Sequence, residues 1–290
     1  MLLAAVLALA GLCGVVVVVG LTLSAPKPAV IGPPPPELPT ARSVNIPSGS
    51  GAALQGWWIP GRPGAGAAIL MHGVGANRLQ HVRRARLLAD RGVAVLLFDF
   101  QAHGESPGRR ITYGKLEGLD AAAVVAFTRD HAPGERVAAV GVSLGGAAAL
   151  LGPAPLAVDA LVLESVYSTI DAALDNRLRV ALGPVVGGVA VPVLGPLFRL
   201  LLPPILGVQP VDLRPVDRIG AVPVPVLVAS GAADAYTTAA ETQALSARVR
   251  SAGELWLVPG AGHEDLQRFD PAGYERVVLG FLDRNLRQTE

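Results

Sequence analysis

A serine hydroxyl becomes a nucleophile only when a neighbouring base removes its proton, and that base keeps its tautomer only when a third group holds it. Three stretches of this chain carry residues of those types. In Gly141-Val142-Ser143-Leu144-Gly145-Gly146 the apolar run VAAV comes just before and the helical run AAALL just after. Ser143 therefore falls on a sharp strand-to-helix turn, where small flanking residues prevent collisions. A helix starting there aims backbone N–H groups and the positive end of its dipole at developing negative charge. A glycine-rich turn with an ordinary surface serine is the alternative reading of the same residues.

Of five histidines, His263 follows the last apolar run in the Gly-rich loop Pro259-Gly-Ala-Gly-His263-Glu, which suits it to act as the base. His131, beside Asp130 and Pro133, and His81, at the polar start of a helix, read as solvent-exposed. Asp234 hangs from the end of the run PVLVAS through Gly231-Ala232-Ala233 and is the expected acid. Glu164, at another strand end, and Asp265, near the histidine, are its rivals, Glu164 the stronger. An oxyanion needs two donors. The Leu144 N–H is one, and the Val74 N–H in Met71-His72-Gly73-Val74-Gly75 is the other, on a loop whose glycines let backbone approach a ligand. His72 reads as a brace for that loop. A phosphate loop is the competing reading of the segment, but no Gly-Lys-Ser/Thr accompanies it. The stretch DFQAHGES, 99–106, reads as loop scaffolding. The chain has no HExxH, no paired cysteines and no calcium loop, so neither metal nor cofactor is expected.

These residues lie at the ends of short, continuously apolar runs: AAIL (67–70), VAVLLF (93–98), VAAVGV (137–142), ALVLES (160–165), PVLVAS (225–230) and LWLVPG (255–260). Such runs mark strands buried on both faces. Val44–Ile46 and Ala52–Ile59 read as an initial hairpin. Helical candidates alternate with the runs at Leu79–Ala89, Lys115–Thr128, Leu144–Leu151, Ala239–Val249 and Gly273–Leu286. The alternation predicts an α/β fold, a mostly parallel sheet flanked by helices, with its site beyond the C-terminal strand ends. Residues 171–215 break the rhythm, apolar but interrupted by Gly and Pro, and read as a small apolar cap over the site; ordinary helical covering is the alternative.

Residues 1–25 contain no charged side chain and are long enough, as a helix, to cross a bilayer. The expectation is an uncleaved transmembrane or signal anchor, with a cleaved signal peptide as the alternative. The membrane is then a partner through residues 1–25 and the catalytic body is membrane-anchored and extracytoplasmic. Residues 26–40, rich in proline, read as an extended linker, and 41–290 as one catalytic domain. A hydrophobic content of 51% with 16% charged residues excludes a disordered chain. A net charge of +1 from scattered Lys and Arg removes the electrostatic footprint of nucleic-acid binding. One cysteine, Cys13, cannot form an internal disulfide.

The ordered set HGVGAN, FDFQAHGES, GVSLGG, SGAAD and GAGH, within 42–288, resembles the α/β-hydrolase superfamily, specifically the serine-hydrolase branch of BEM46-like and serine aminopeptidase S33-like membrane-anchored proteins. The chain order Ser, Asp, His is the one found in that fold. The resemblance implies a triad of Ser143, Asp234 and His263, with Val74 and Leu144 as oxyanion donors. Gln101-Ala102 departs from the family's Arg-Gly before His-Gly, and Asp234-Ala-Tyr from its usual Asp-x-x-Pro. The implied activity is cleavage of a carboxylic ester or thioester through an acyl-enzyme, with a small-molecule or lipid-like acyl substrate favoured by the apolar cap. A serine peptidase or amidase, and a non-catalytic membrane-tethered binding domain, are the other readings. The sequence leaves the oligomeric state open.

Overall fold

The computed structural model describes residues 2–287, apart from the side chains at positions 2, 5, 6, 8, 9, 184 and 202. Met1 of the expected anchor and residues 288–290 of the expected catalytic domain lie outside the described residues. Eight strands form the main sheet: β1 (Arg42–Pro47), β2 (Ala53–Ile59), β3 (Ala67–Met71), β4 (Ala94–Phe98), β5 (Val137–Val142), β6 (Ala160–Glu164), β7 (Val226–Gly231) and β8 (Gly253–Val258). Their spatial order is β1-β2-β4-β3-β5-β6-β7-β8. The β1–β2 and β2–β4 pairs are antiparallel and the remainder parallel. The mostly parallel sheet expected from the apolar runs is therefore present, with a two-strand antiparallel start.

Alternation across the pleat divides the core in two. Ile69, Leu96, Phe98, Ala139, Leu163 and Val228 point to one face, where α3 (Lys115–His131) and α4 (Leu144–Leu151) cover them. Leu70, Val95, Leu97, Val140, Val162 and Leu227 point to the other, against α2 (Val82–Asp90) and the C-terminal helix Gly280–Leu286. Strands β3, β4, β6 and β7 are buried along their whole length, whereas edge strand β8 is buried fully only at Val258. At about 1.5–3 kcal/mol per buried aliphatic or aromatic side chain, these two layers supply the dominant favourable term of the fold.

Among the described residues no helix is long and apolar enough to cross a membrane. This overturns the expected transmembrane or signal anchor over residues 1–25. With it fall the membrane as a partner and the membrane-anchored, extracytoplasmic placement of the catalytic body. The run forms α1 (Leu2–Ser24). A stripe of it is spent on the protein itself. Val16, Gly20 and Ser24, spaced by four, are buried, and Val16 packs with Leu174 and Phe198 of α5 (Ile170–Leu206). The end of α1 is pinned as well: the Leu23 carbonyl accepts from Tyr113 Oη at 2.9 Å and the Ser24 carbonyl from the Ile111 N–H at 2.8 Å.

The proline-rich segment lies along the body. Lys27–Pro28 pairs in parallel with His103–Gly104, Leu38 is buried, and the Ile31 and Gly32 N–H groups both donate to Glu105 at 2.9 Å. Those donors, with Arg78, hold the Glu105 carboxyl down at about 2. The stretch that fits no strand–helix period is helical in two pieces. α5 starts at Thr169, whose Oγ1 accepts from the Ala172 N–H, breaks at Gly183 (φ 77°, ψ 167°) and ends at left-handed Gly207. Arg199 of the second piece bonds Asp171 at 2.8 Å and Asp175 at 3.3 Å on the first, so the two pieces fold back on each other.

Asp120 on α3 ties the loop after β4 to this frame. Its carboxylate is buried, accepts from Ser48 Oγ and Ser50 Oγ at 2.5 Å and from the Gln101 N–H at 2.9 Å. Burial pushes this acid up to about 6, more than the three donors pull it down. The folded state thus keeps a proton that the unfolded chain releases near pH 4. The resulting stabilisation is fully present below that pH and is lost as the pH rises through about 6. Asp120→Asn should remove this slope: between about pH 4 and pH 7 the variant should lose about 2–3 kcal/mol less unfolding free energy than the wild type in urea titrations.

Candidate active site

Ser143 follows β5 directly and caps α4, with φ 50° and ψ −108°. A left-handed conformation at a non-glycine residue is strained and persists only where the surroundings enforce it. They do here. The Ser143 N–H donates to the Glu164 carbonyl at 2.8 Å and its own carbonyl accepts from the Ala147 N–H at 3.0 Å. A Cβ at Gly145 would lie 2.3 Å from the Met71 carbonyl oxygen, and one at Gly146 would lie 2.2 Å from a Val166 methyl. The glycines after the serine are there because α4 presses against β3 and the chain beyond β6.

Asp234 sits four residues from Ser230 in the turn after β7 and is buried. Its Oδ1 accepts from the Tyr236 and Thr237 N–H groups, each at 2.8 Å, and its Oδ2 lies 2.7 Å from His263 Nδ1. Two backbone donors fix the carboxylate so that the remaining oxygen faces the ring. With Nδ1–H donating to Asp234, the neutral imidazole presents Nε2 as a lone pair. The His263 side chain is 26% exposed while that of Asp234 is sealed. The Tyr236 ring stands edge-on to the imidazole, 5.5 Å between centroids.

Val74 and Leu144 approach each other from the turn after β3 and the start of α4, packing with Ala102 and Ile111. Among the described residues neither the Val74 N–H nor the Leu144 N–H donates to an acceptor, and both residues line the cavity that holds Ser143. Unmatched N–H groups at a helix start are the donors an incoming anion can use. His72 braces the loop: Nδ1 donates to the Gly73 carbonyl at 2.8 Å and Nε2 accepts the Phe100 N–H at 3.0 Å. Complete burial, with His103 nearby, pushes it down to about 3, so it stays neutral. The next loop is held by Asp99, which takes the Arg78 guanidinium and the N–H groups of Arg78 and Glu105. Ala102 has φ 60°, and Gln101 Nε2 donates to the Arg110 carbonyl and to Glu117, both at 2.7 Å.

Two cavities meet at Ser143. The apolar one is walled by Leu23 of α1, Tyr113, Tyr167, and Ile170, Leu174 and Phe198 of α5, with Val74 and Leu144 beside the serine. The polar one is lined by Gly73, Gln80, Ser165, Arg177, Tyr236 and His263. All five expected residues, Ser143, Asp234, His263, Val74 and Leu144, thus converge on one region, Asp234 from behind the histidine. Arg177, Tyr236, Gln80 and α1 were not expected there; the first three are polar residues in helices or turns with no spacing signal. Among the described residues no group of three or more His, Cys, Asp or Glu is arranged to hold a metal.

Glu164, the rival acid, is committed elsewhere. It is completely buried, accepts from Arg84 Nη2 and Tyr274 Oη at 2.8 Å each, and burial still raises its carboxyl above the usual range. Asp265, the other rival, meets the same guanidinium at 3.1 Å and caps the turn after His263 by accepting from the Gln267 N–H at 2.9 Å. His81 is buried rather than exposed: its Nδ1 lies 3.2 Å from Arg84 Nη1, and burial together with that cation drives it far below its ordinary value. His131 is exposed and stacks on Phe127 at 3.8 Å.

A family model described as "Alpha/beta hydrolase family" matches residues 68–277. An uncharacterized protein of Mycobacterium tuberculosis is 32% identical over 255 residues, covering 87% of this chain and 81% of that protein. A Pyrococcus furiosus esterase of known structure superposes with a TM-score of 0.72 at 25% identity, covering 91% of this chain and 98% of that one. An Exiguobacterium antarcticum esterase shares the fold at 14% identity, with a TM-score of 0.60 over 83% of this chain and 99% of its own.

Replacing Arg84 by Met leaves Glu164 buried without its cation. That substitution should cost about 3–5 kcal/mol in unfolding free energy, measured by urea denaturation, and adding Glu164→Gln should restore part of the loss by removing the stranded charge.

Proposed function

Since the chain belongs to the alpha/beta hydrolase family, we propose that it is a serine hydrolase cleaving carboxylic esters or thioesters through an acyl-enzyme. The observation that carries this reading is the 2.7 Å His263–Asp234 pair, opening on the same cavity as a strained serine at a strand-to-helix turn. In the first half-reaction His263 Nε2 takes the proton as Ser143 Oγ attacks the acyl carbon. The negative oxygen so formed is met by the Val74 and Leu144 N–H groups. Collapse breaks the bond to the leaving oxygen or sulfur, which receives the proton from His263. Water then attacks the acyl-enzyme with His263 as base, and Ser143 leaves protonated. Asp234 stabilises the imidazolium in both halves without accepting its proton.

The apolar cavity beside Ser143 supports an acyl chain as the recognised group, with residues 171–215, most of them in α5, as the cap of a domain that otherwise runs from 41 onward. The Pyrococcus relative is an esterase, which favours an ester over an amide bond. The ordered motifs support the serine-hydrolase branch that resembles the BEM46-like and S33-like proteins.

The full chain should hydrolyse p-nitrophenyl esters from acetate to palmitate, with kcat/KM rising as the chain lengthens to fill the apolar cavity. Ser143→Ala should lose both turnover and labelling by a fluorophosphonate probe. Equal background rates from folded wild type and variant would sink the reading. Asp234→Asn, which deprives the imidazole of its orienting acceptor, should lower kcat by about 10⁴-fold while leaving thermal unfolding within a few degrees of the wild type.

A further inference from the structure

Arg177 lies on α5 at the junction of the two cavities and lines both. Its guanidinium makes little use of its donors. Nη1 donates to the Ala173 carbonyl one turn back at 3.0 Å, and the guanidinium carbon stands 5.7 Å over the Tyr236 ring. Among the described residues it has no ion pair, whereas Arg199 on the same helix is bound by Asp171 and Asp175. The acids of the polar cavity do not reach it either: Asp265 is taken by Arg84, and Glu264 accepts from the Gly262 N–H at 3.0 Å. Behind His263, Asp234 is taken by the imidazole.

A half-buried guanidinium with free donors, steadied by an aromatic face and facing a nucleophile, is built to receive an oxyanion. Its place fixes which part of a substrate bears that anion. The apolar cavity is walled by aliphatic and aromatic side chains and accepts a hydrocarbon. The polar cavity contains His263, which must protonate the departing group, so the leaving portion lies there, alongside Arg177.

Resting on the serine-hydrolase reading, we propose that Arg177 selects esters whose leaving group carries an oxyanion, a carboxylate or a phosphate monoester, joined to an apolar acyl chain. The substrate class is thus an anionic amphiphile cleaved between its hydrocarbon and charged halves. Arg177 sets specificity; the proton transfers remain with His263.

Three octanoyl esters of closely matched shape test this: 4-(octanoyloxy)benzoate, 4-(octanoyloxy)phenyl phosphate and the uncharged 4-(octanoyloxy)benzamide, each rate divided by that ester's hydroxide-catalysed rate. In wild type kcat/KM for at least one anionic ester should exceed that for the amide by about 10-fold, the difference lying mainly in KM and shrinking with added salt. Whichever anion wins identifies carboxylate or phosphate as the recognised group. In Arg177→Gln the anionic-to-neutral ratio should fall to about one, and Arg177→Lys should recover part of it. The ratio is internal to each protein, so a general loss of activity does not imitate the effect. Serine-dependent turnover of the neutral ester with no charge preference, or a preference that survives in Arg177→Gln, overturns the inference and leaves the hydrolase reading standing. No Ser143-dependent turnover of any of the three by folded protein overturns both.

Discussion

A guanidinium buried to 2% exposure is the constraint around which the rear of the site is arranged. Removing such a charge from water costs several kcal/mol unless its donors are matched. Arg84 finds its partners on separate pieces of chain: Glu164 at the end of β6, Tyr274 near the C-terminus, Asp265 two residues beyond His263, and His81 one turn back. Glu164 above all, with Tyr274 and Asp265, holds it firmly protonated against the burial that disfavours its charge. Because the same guanidinium grips a strand end and the histidine loop, the position of His263 is tied to the sheet that presents Ser143. The Glu164 carbonyl closes the circuit by accepting the Ser143 N–H.

The legible part of this arrangement was the part written in continuous apolar runs. Strands β3 to β7 are buried almost throughout, so they read as near-continuous apolar runs whose ends are easy to locate; Ser143 and Asp234 hang from those ends, and His263 follows the partly exposed edge strand β8. Arg84 was illegible for the opposite reason. It stands in the run Arg83-Arg84-Ala85-Arg86, where one arginine turns inward and two do not, and only tertiary packing decides which. His81 was misjudged with it, since its exposure follows from the same helix face. The helical character of 170–206 was hidden by Pro192, Pro196, Pro203 and Pro204, which remove backbone donors yet are tolerated where the helix is folded back and tied by Arg199.

Hydropathy misdirected the reading of α1 because an apolar surface is the same signal whatever covers it. One stripe of the residues that suggested a bilayer, Val16 and Val19, packs with α5, and Leu23 reaches the cavity beside Ser143. α1 is therefore part of the wall and not a tether to it. Its fastening by Tyr113 and Ile111, and that of the following segment by Glu105, converge on the loop after β4. That loop in turn carries the strained Ala102 that packs beside Leu144 and Val74. The N-terminal segment and the two unmatched N–H groups are consequently parts of one packed unit.

Three carboxylates stand at strand ends or in the histidine loop, and their donors explain why Asp234 is the one that meets the histidine. Both oxygens of Glu164 are filled, one by Tyr274 and one by Arg84, in a pocket sealed from water. Asp265 divides itself between Arg84 and the backbone turn it caps. Asp234 receives two backbone N–H groups on one oxygen and, unlike Asp265, no guanidinium; these donors lock its orientation and leave the other oxygen turned toward His263 with only a distant Ser230 hydroxyl, 3.5 Å away, as competitor. Backbone donors bring no counter-charge, so the aspartate's negative charge remains available to an imidazolium. A guanidinium in the same place would have neutralised it. The separation of the cation at Arg84 from the anion at Asp234, by placing each acid on its own set of donors, is what allows both to be buried within one small loop cluster.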